Sequence, residues 1–214
     1  MKLLVVGDTV DPQLYDHFRR SRFPEDIRFI VSVGDLPAWY LAYLMSVFDV
    51  PLYYVRGNHD FRFDENPPEG AENLDGRIVS VSGLNVLGFE GSMYYQAQHA
   101  VQRTEREMWL VWQKVRPQIL LRRRVDIVVA HAPPFGIHDG EDECHRGFLT
   151  FSKLIHRYRP RFFIHGHTHL NYGYRQKRVD VVNHTTVVNG YGYYVLNLET
   201  DDPPQSVDNV GKEN

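Results

Sequence analysis

The chain has 214 residues, of which 43% are hydrophobic, 24% charged and 13% aromatic. That length fits one domain able to bury roughly 70% of the surface its unfolded form exposes, and the balance of residue types excludes a disordered protein. A net charge of -3 excludes the global basic field of nonspecific nucleic-acid binding, no run approaches the roughly 18 apolar residues of a membrane span, and one cysteine, Cys144, excludes an internal disulfide.

The N-terminal half alternates strand and helix patterns. Leu3 to Val6 is a wholly apolar run ending in Gly7-Asp8, which reads as a strand buried on both faces. Asp11 to Arg20 carries Leu14 and Phe18 at helical spacing. Ile27 to Val33 is a second apolar run and ends in Gly34-Asp35. Pro37 to Phe48 reads as a buried helix with proline in its first turn. Leu52 to Val55 is a third strand, ending in Gly57-Asn58-His59-Asp60. Strands alternating with helices at this spacing predict βαβ units and a parallel or mixed sheet.

Phe61 to Asp75, with Pro67, Pro68 and Gly70, reads as a surface loop. Arg77 to Val81 and Leu84 to Phe89 flank Ser82-Gly83 as a hairpin. Thr104-Glu105-Arg106-Glu107 is a capping box that opens a helix through about Val115. Asp126 to Ala130 is a buried strand ending at His131. Thr150 to Tyr158 is a helix stopped before Pro160, and Phe162 to Ile164 is a strand running into His165-Gly166-His167-Thr168-His169. Four short β-rich runs follow: Tyr172 to Arg175, Val179 to Val182, Thr185 to Val188 and Tyr193 to Leu198. The polar stretch 201–214 reads as a disordered tail behind a single domain spanning 1–200.

Five of these strands end in groups able to ligate a metal: Asp8, Asp35, Asn58 with His59, His131, and His167 with His169. Sites in α/β sheets form outside the carboxyl ends of strands, so neighbouring strand ends can bring these residues into one crevice. Two carboxylates, one amide oxygen and three imidazoles form a mixed oxygen and nitrogen set suited to Mn, Fe, Ni or Zn. Without a thiolate among them they do not form a structural zinc finger. Six ligands exceed one tetrahedral ion and suit two ions sharing a carboxylate, an arrangement that clamps phosphate for in-line displacement.

The order of these motifs resembles the calcineurin-like metallophosphoesterases. The family pattern runs D-x-H, G-D, G-N-H-D/E, a lone H, then G-H-x-H. This chain reads Asp8-Thr9-Val10, Gly34-Asp35, Gly57-Asn58-His59-Asp60, His131 and Gly166-His167-Thr168-His169, over about residues 1–198. The resemblance implies an α/β (α+β) fold, a four-layer αββα sandwich of two mixed sheets. It implies a phosphoesterase using two divalent metal ions on a small phosphate ester such as a nucleotide; separately, the single cysteine suits a reducing cytoplasm, the lack of an apolar span argues against a membrane partner, and the acidic balance disfavours nucleic acid. Asp35 would bridge the two ions; Asp8 and His169 would hold the first; Asn58, His131 and His167 would hold the second. A metal-bound hydroxide would attack phosphorus, His59 would assist the leaving group, and Asp60 would orient His59. The stretch His131-Ala132-Pro133-Pro134-Phe135-Gly136-Ile137-His138-Asp139, followed by His145-Arg146-Gly147, resembles a phosphodiesterase branch that often acts on cyclic nucleotides. Asn58, His59, His145 and Arg146 are the substrate-contacting candidates.

Val10 stands where the family pattern has its first histidine. The first ion would keep Asp8, Asp35 and His169, with water or a neighbour such as Asp11 filling in. The expectation is a complete second site, a leaky first site and slow turnover, with a weak or inactive metal- or nucleotide-binding module as the rival reading. A nuclease is the other rival, disfavoured by the acidic balance.

Taken one at a time, the motifs have plain readings. Gly7-Asp8 and Gly34-Asp35 suit ordinary strand-to-helix turns with Asp as an N-cap. His131 suits a satisfied buried histidine. His165 suits core packing, and Arg122-Arg123-Arg124 a solvated helix end. The functional reading rests on all five motifs falling in order, each closing an apolar strand.

Overall fold

The computed structural model describes residues 1–96, 101–171 and 177–199. In chain order its strands are β1 Lys2–Gly7, β2 Ile27–Ser32, β3 Leu52–Tyr54, β4 Glu72–Asn73, β5 Ile78–Val81, β6 Leu84–Phe89, β7 Ser92–Met93, β8 Gln102–Arg103, β9 Ile127–Ala130, β10 Phe162–His165, β11 Val179–Val182, β12 Thr185–Asn189 and β13 Gly192–Asn197. The helices are α1 Ala38–Phe48, α2 Glu105–Arg122 and α3 Leu149–Tyr158.

The unbroken apolar runs are explained by burial on both faces. Along β1, Leu3 and Val5 point into one cluster while Leu4 and Val6 point into another. Along β9, Ile127 and Val129 face the first of these, and Val128 and Ala130 face a third. Such strands belong to sheets covered on both sides. One sheet has the order β13-β1-β2-β3-β4 and the other β11-β12-β10-β9-β6-β5. Both are mixed: β13 is antiparallel to β1, and β11 and β5 are antiparallel to their neighbours, while the inner strands are parallel. The sheets meet face to face through Leu3, Val31, Val86, Val129 and Ile164. Tyr40, Leu41 and Leu44 of α1 cover the outside of the first sheet. Met108, Trp112 and Ile119 of α2, with Phe151 and Leu154 of α3, cover the outside of the second. The result is the expected four-layer αββα sandwich.

Three local expectations need correction. Asp11 to Arg20 forms turns rather than a helix: Asp11 Oδ1 accepts from the Gln13 amide at 2.8 Å, and a 3-10 turn at Arg20–Arg22 follows. Leu14 and Phe18 still pack on the first sheet, but two apolar positions are too few to repay helix nucleation. The helix opened by the Thr104 capping box continues past Val115 to Arg122, through Pro117. Buried Ile119 holds that last stretch against the second sheet. The expected loop Phe61 to Asp75 contributes a 3-10 turn at Phe61–Asp64 and the edge strand β4, because Leu74 is fully buried between the sheets. The expected strand Tyr172 to Arg175 overlaps residues 172–176, and that stretch, like the polar tail 201–214, lies outside the described residues.

Because β1, β2 and β3 run parallel, as do β9 and β10, their carboxyl ends share an edge. Backbone bonds lace the turns beyond those ends: Asp8 N to Gly34 O at 3.0 Å, Gly166 N to His131 O at 2.9 Å, and Gly91 N to Arg56 O at 2.8 Å. The last of these joins the two sheets at the site.

Candidate metal centre

Four acceptor atoms converge at this edge. His131 Nε2 lies 3.0 Å from Asn58 Oδ1, 3.1 Å from His167 Nδ1 and 3.4 Å from Asp35 Oδ2. The far nitrogen of each imidazole is committed elsewhere. His131 Nδ1 donates to Val33 O at 2.7 Å, and His167 Nε2 donates to Cys144 O at 2.7 Å. A carbonyl only accepts, so both protons sit on those nitrogens and two lone pairs face the centre. Burial holds both rings below the usual histidine range, which keeps them neutral. Facing lone pairs with a carboxylate and an amide oxygen repel unless a cation lies between them. The donor set therefore fits a divalent ion.

Glycines make the convergence possible. A Cβ on Gly57 would stand 2.1 Å from Asp35 Oδ1 and 2.7 Å from His131 Cε1, and one on Gly34 would stand 2.8 Å from His131 Nδ1. The backbone is also held in an unusual shape. Asp8, Asp35 and His167 adopt left-handed conformations, with φ of 63°, 56° and 66°. Such geometry concentrates where a site over-determines the chain.

Asp60 is buried and braces the cluster from beneath. Its Oδ2 accepts from the Gly57 amide at 2.8 Å and the Asp35 amide at 2.7 Å. Burial and the neighbouring Asp35 push its carboxyl up to about 7. The exposed His59 is anchored through its own amide, which donates to Asp35 Oδ1 at 2.9 Å.

Asp8 stands beside the cluster. Its Oδ1 accepts from the His167 amide at 2.8 Å, while its Oδ2 is buried with no hydrogen-bond partner. Burial and Asp35 raise its carboxyl well above the usual range. An orphaned buried carboxylate oxygen fits a cation as well. Among the described residues, however, the His, Cys, Asp and Glu donor atoms that gather within 4.8 Å are those of Asp35, His131 and His167, and of Cys144, His145 and His167. Neither group includes Asp8, Asp11 or His169. His169 lies against the Tyr191 ring, with centroids 4.7 Å apart. Val10 packs half-buried on the apolar cluster outside the first sheet, and Asp11, offered as a replacement ligand, stays with the Gln13 amide.

His145 packs its ring 5.1 Å from that of His167. Arg146 lies farther out, its guanidinium over the Phe135 ring at 5.4 Å, where it lines two surface grooves. Two contributors carry no motif. Tyr95 accepts from Asn58 Nδ2 at 3.4 Å, and the Cys144 carbonyl orients His167. A carbonyl leaves no trace in residue type, so the second contact has no sequence signal. Arg56 and Arg103 are likewise new: both bond Glu90, and Arg103 also bonds Asp75, which fixes the strand leading into Gly57-Asn58.

A family model described as calcineurin-like phosphoesterase matches residues 1–171. The chain belongs to the calcineurin-like phosphoesterase family. It is thus a metal-dependent phosphoesterase by family, and the family implies divalent ions. The chain is 22% identical over 184 residues to an uncharacterized protein of Haemophilus influenzae, covering 70% of this chain and 77% of that protein. In structure it is similar to TT1561 of Thermus thermophilus, with a TM-score of 0.61 and 14% identity over 94% of this chain and 96% of that one. It also matches a Vps29 mutant of Entamoeba histolytica, with a TM-score of 0.44 and 12% identity over 89% of this chain and 73% of that one. No helix among the described residues is long and apolar enough to cross a membrane.

Proposed function

We propose that this calcineurin-like phosphoesterase is a phosphodiesterase that works with two divalent ions, one held tightly and one weakly. The observation that carries the reading is the facing of His131 Nε2 and His167 Nδ1 at 3.1 Å, with Asn58 Oδ1 and Asp35 Oδ2 completing an all-acceptor pocket. These residues would hold the tight ion. Asp8, whose Oδ2 is orphaned, would hold the weaker ion with Asp35 and His169. Bound there, divalent ions supply charge neutralisation at the phosphoryl oxygens and an activated water.

The remaining work falls to the chain. Asp35 would span the two positions, and its backbone amide is pinned by Asp60, which helps keep its carboxylate aimed. His59, exposed and anchored through its amide, would give a proton to the departing oxygen. Asn58, held by Tyr95, and His145, held by Asp142, line the approach to phosphate. The diester preference rests on the likeness of residues 131–139 and of His145-Arg146-Gly147 to the phosphodiesterase branch. The single half-buried thiol, Cys144, suits a reducing cytoplasm, and a nucleotide is the small-ester class we favour.

The test is hydrolysis of an aryl phosphodiester by protein stripped of metal and reloaded with Mn²⁺, with Asp35→Asn as control. Turnover lost in the variant supports the reading. Faster turnover of the matching monoester would overturn the diester preference, and no turnover of either ester with metal bound would leave a binding module.

A further inference from the structure

We infer that Cys144, His145 and His167 form a second kind of metal site, one for a thiophilic cation such as Zn²⁺ or Cd²⁺, whose filling withdraws His167 from the phosphoesterase centre. The withdrawal rests on the functional reading above; the site itself does not.

The three side chains place one ligand atom each within 4.8 Å of one another, and Cys144 Sγ lies 3.9 Å from His167 Nε2. Around a tetrahedral zinc ion, with Zn–S of about 2.3 Å and Zn–N of about 2.0–2.1 Å, sulfur and nitrogen stand about 3.5 Å apart. The observed spacing is close to that, and filling the site also requires the Cys144 carbonyl, now 2.7 Å from the same Nε2, to turn aside.

His145 is prepared as a ligand. Its Nδ1 lies 2.9 Å from both oxygens of Asp142, which fixes the proton on that nitrogen and leaves Nε2 with its lone pair. A carboxylate behind an imidazole in this way orients the ring and raises its basicity toward a metal. The loop is built to hold this pose. The His145 amide donates to Asp142 Oδ1 at 3.0 Å, and Gly140 donates to His145 O at 2.9 Å. Gly140 also clears space, since a Cβ there would meet His145 Cβ at 2.8 Å. The Cys144 thiol is half-buried and hydrogen-bonds the Tyr95 hydroxyl, so it faces this cluster rather than bulk solvent. A thiolate selects softer ions than the oxygen-rich group at Asp35 does.

His167 belongs to both groups through opposite nitrogens. In the Asp35 group it offers Nδ1 and keeps its proton on Nε2, bonded to Cys144 O. To ligate beside Cys144 it must offer Nε2 and carry the proton on Nδ1, which then points at His131. One neutral imidazole has one lone pair. The two sites therefore exclude each other, and a soft cation at the thiol acts as an inhibitor that competes with Mn²⁺.

The test is a Cd²⁺ titration of the stripped full-length chain, read by the ultraviolet charge-transfer absorption of a cadmium–thiolate bond. Absorption saturating at a single Cd²⁺ per chain is expected. It should vanish in Cys144→Ser, weaken roughly 10–100-fold in apparent affinity in Asp142→Asn, and persist in Asp35→Asn. Absorption unchanged in both His145→Ala and His167→Ala would mean a bare thiol adduct and overturn the site. In Mn²⁺-loaded protein, Cd²⁺ should free Mn²⁺, seen by electron paramagnetic resonance, in step with the thiolate band. Mn²⁺ release that survives in Cys144→Ser would mean direct exchange at the Asp35 group and would overturn the exclusion. If the loaded protein hydrolyses no phosphate ester, the absorption arm still decides the site, so the two readings fail separately.

Discussion

His131 Nε2 and His167 Nδ1 face one another at 3.1 Å, although 36 residues separate them in the chain. Each ring is steered by a backbone carbonyl behind it, that of Val33 for His131 and that of Cys144 for His167. On the proposed reading, removing either ring would delete a ligand and leave the other lone pair without a partner ion. His131→Ala and His167→Ala should each lower Mn²⁺-dependent turnover by at least about a hundredfold, more than the loss of an orienting residue behind a ligand. Steady-state kinetics at saturating Mn²⁺ checks this, and activity close to the parent's would dismiss the pocket as the centre.

Metal should stabilise the fold. An ion that binds the folded state at about a hundred times its dissociation constant adds about 2.7 kcal/mol. For a chain of this size that raises Tm by about 5–10 °C. Thermal unfolding with Mn²⁺ and with chelator should show the gap in the parent and little of it in Asp35→Asn. Equal gaps in both would remove Asp35 from the binding group.

Asp60 carries a pH signature in the metal-free protein. Its folded pKa, about 7, lies above its unfolded value, because burial and Asp35 oppose its charge. The folded state therefore binds the extra proton, and the penalty of ionising Asp60 is full above about pH 7 and gone near about pH 4. Asn keeps an oxygen for the Gly57 and Asp35 amides without the charge. Asp60→Asn should raise the Tm of chelated protein at about pH 8, with the advantage fading as pH falls through about 7 toward about 4. An advantage independent of pH would mean that charge is not its source.

Gly57→Ala isolates the close approach of the loop. The added Cβ would stand 2.1 Å from Asp35 Oδ1 and would displace that carboxylate. Mn²⁺ affinity should fall by about tenfold or more, with the far-ultraviolet circular dichroism unchanged. Unchanged affinity would show that the turn relaxes at little cost.

Val10→His puts an imidazole two residues from Asp8, whose Oδ2 is orphaned, where the family pattern has its histidine. Calorimetric titration with Mn²⁺ should show one tight ion in the parent and a second, newly tight ion in the variant. Unchanged stoichiometry would mean that another group already completes the Asp8 position.

Much of this is legible in residue order. The apolar runs Leu3 to Val6 and Ile127 to Ala130 declare two-sided burial, and alternation with helices declares a parallel or mixed sheet. Each run closes on a polar group, so Asp8, Asp35, Asn58, His131 and His167 stand out as strand-end ligands. The turns at Asp11 to Arg20 are not legible, because an apolar pair at helical spacing also fits a compact turn. Nor is β4, because two residues carry no alternation.

Residue type and spacing determined the strands and the polar groups at their ends that are candidate ligands. They left undecided which nitrogen of each histidine meets that ion, how Asp8 divides its two oxygens, and that Cys144 and His145 share His167 with the centre. The histidine tautomers depend on the backbone carbonyls of Val33 and Cys144, and the division at Asp8 on the His167 amide, groups that carry no signal in residue type. Only packing the two sheets face to face brings a particular carbonyl behind a particular ring. The tertiary structure therefore decided the direction of every donor.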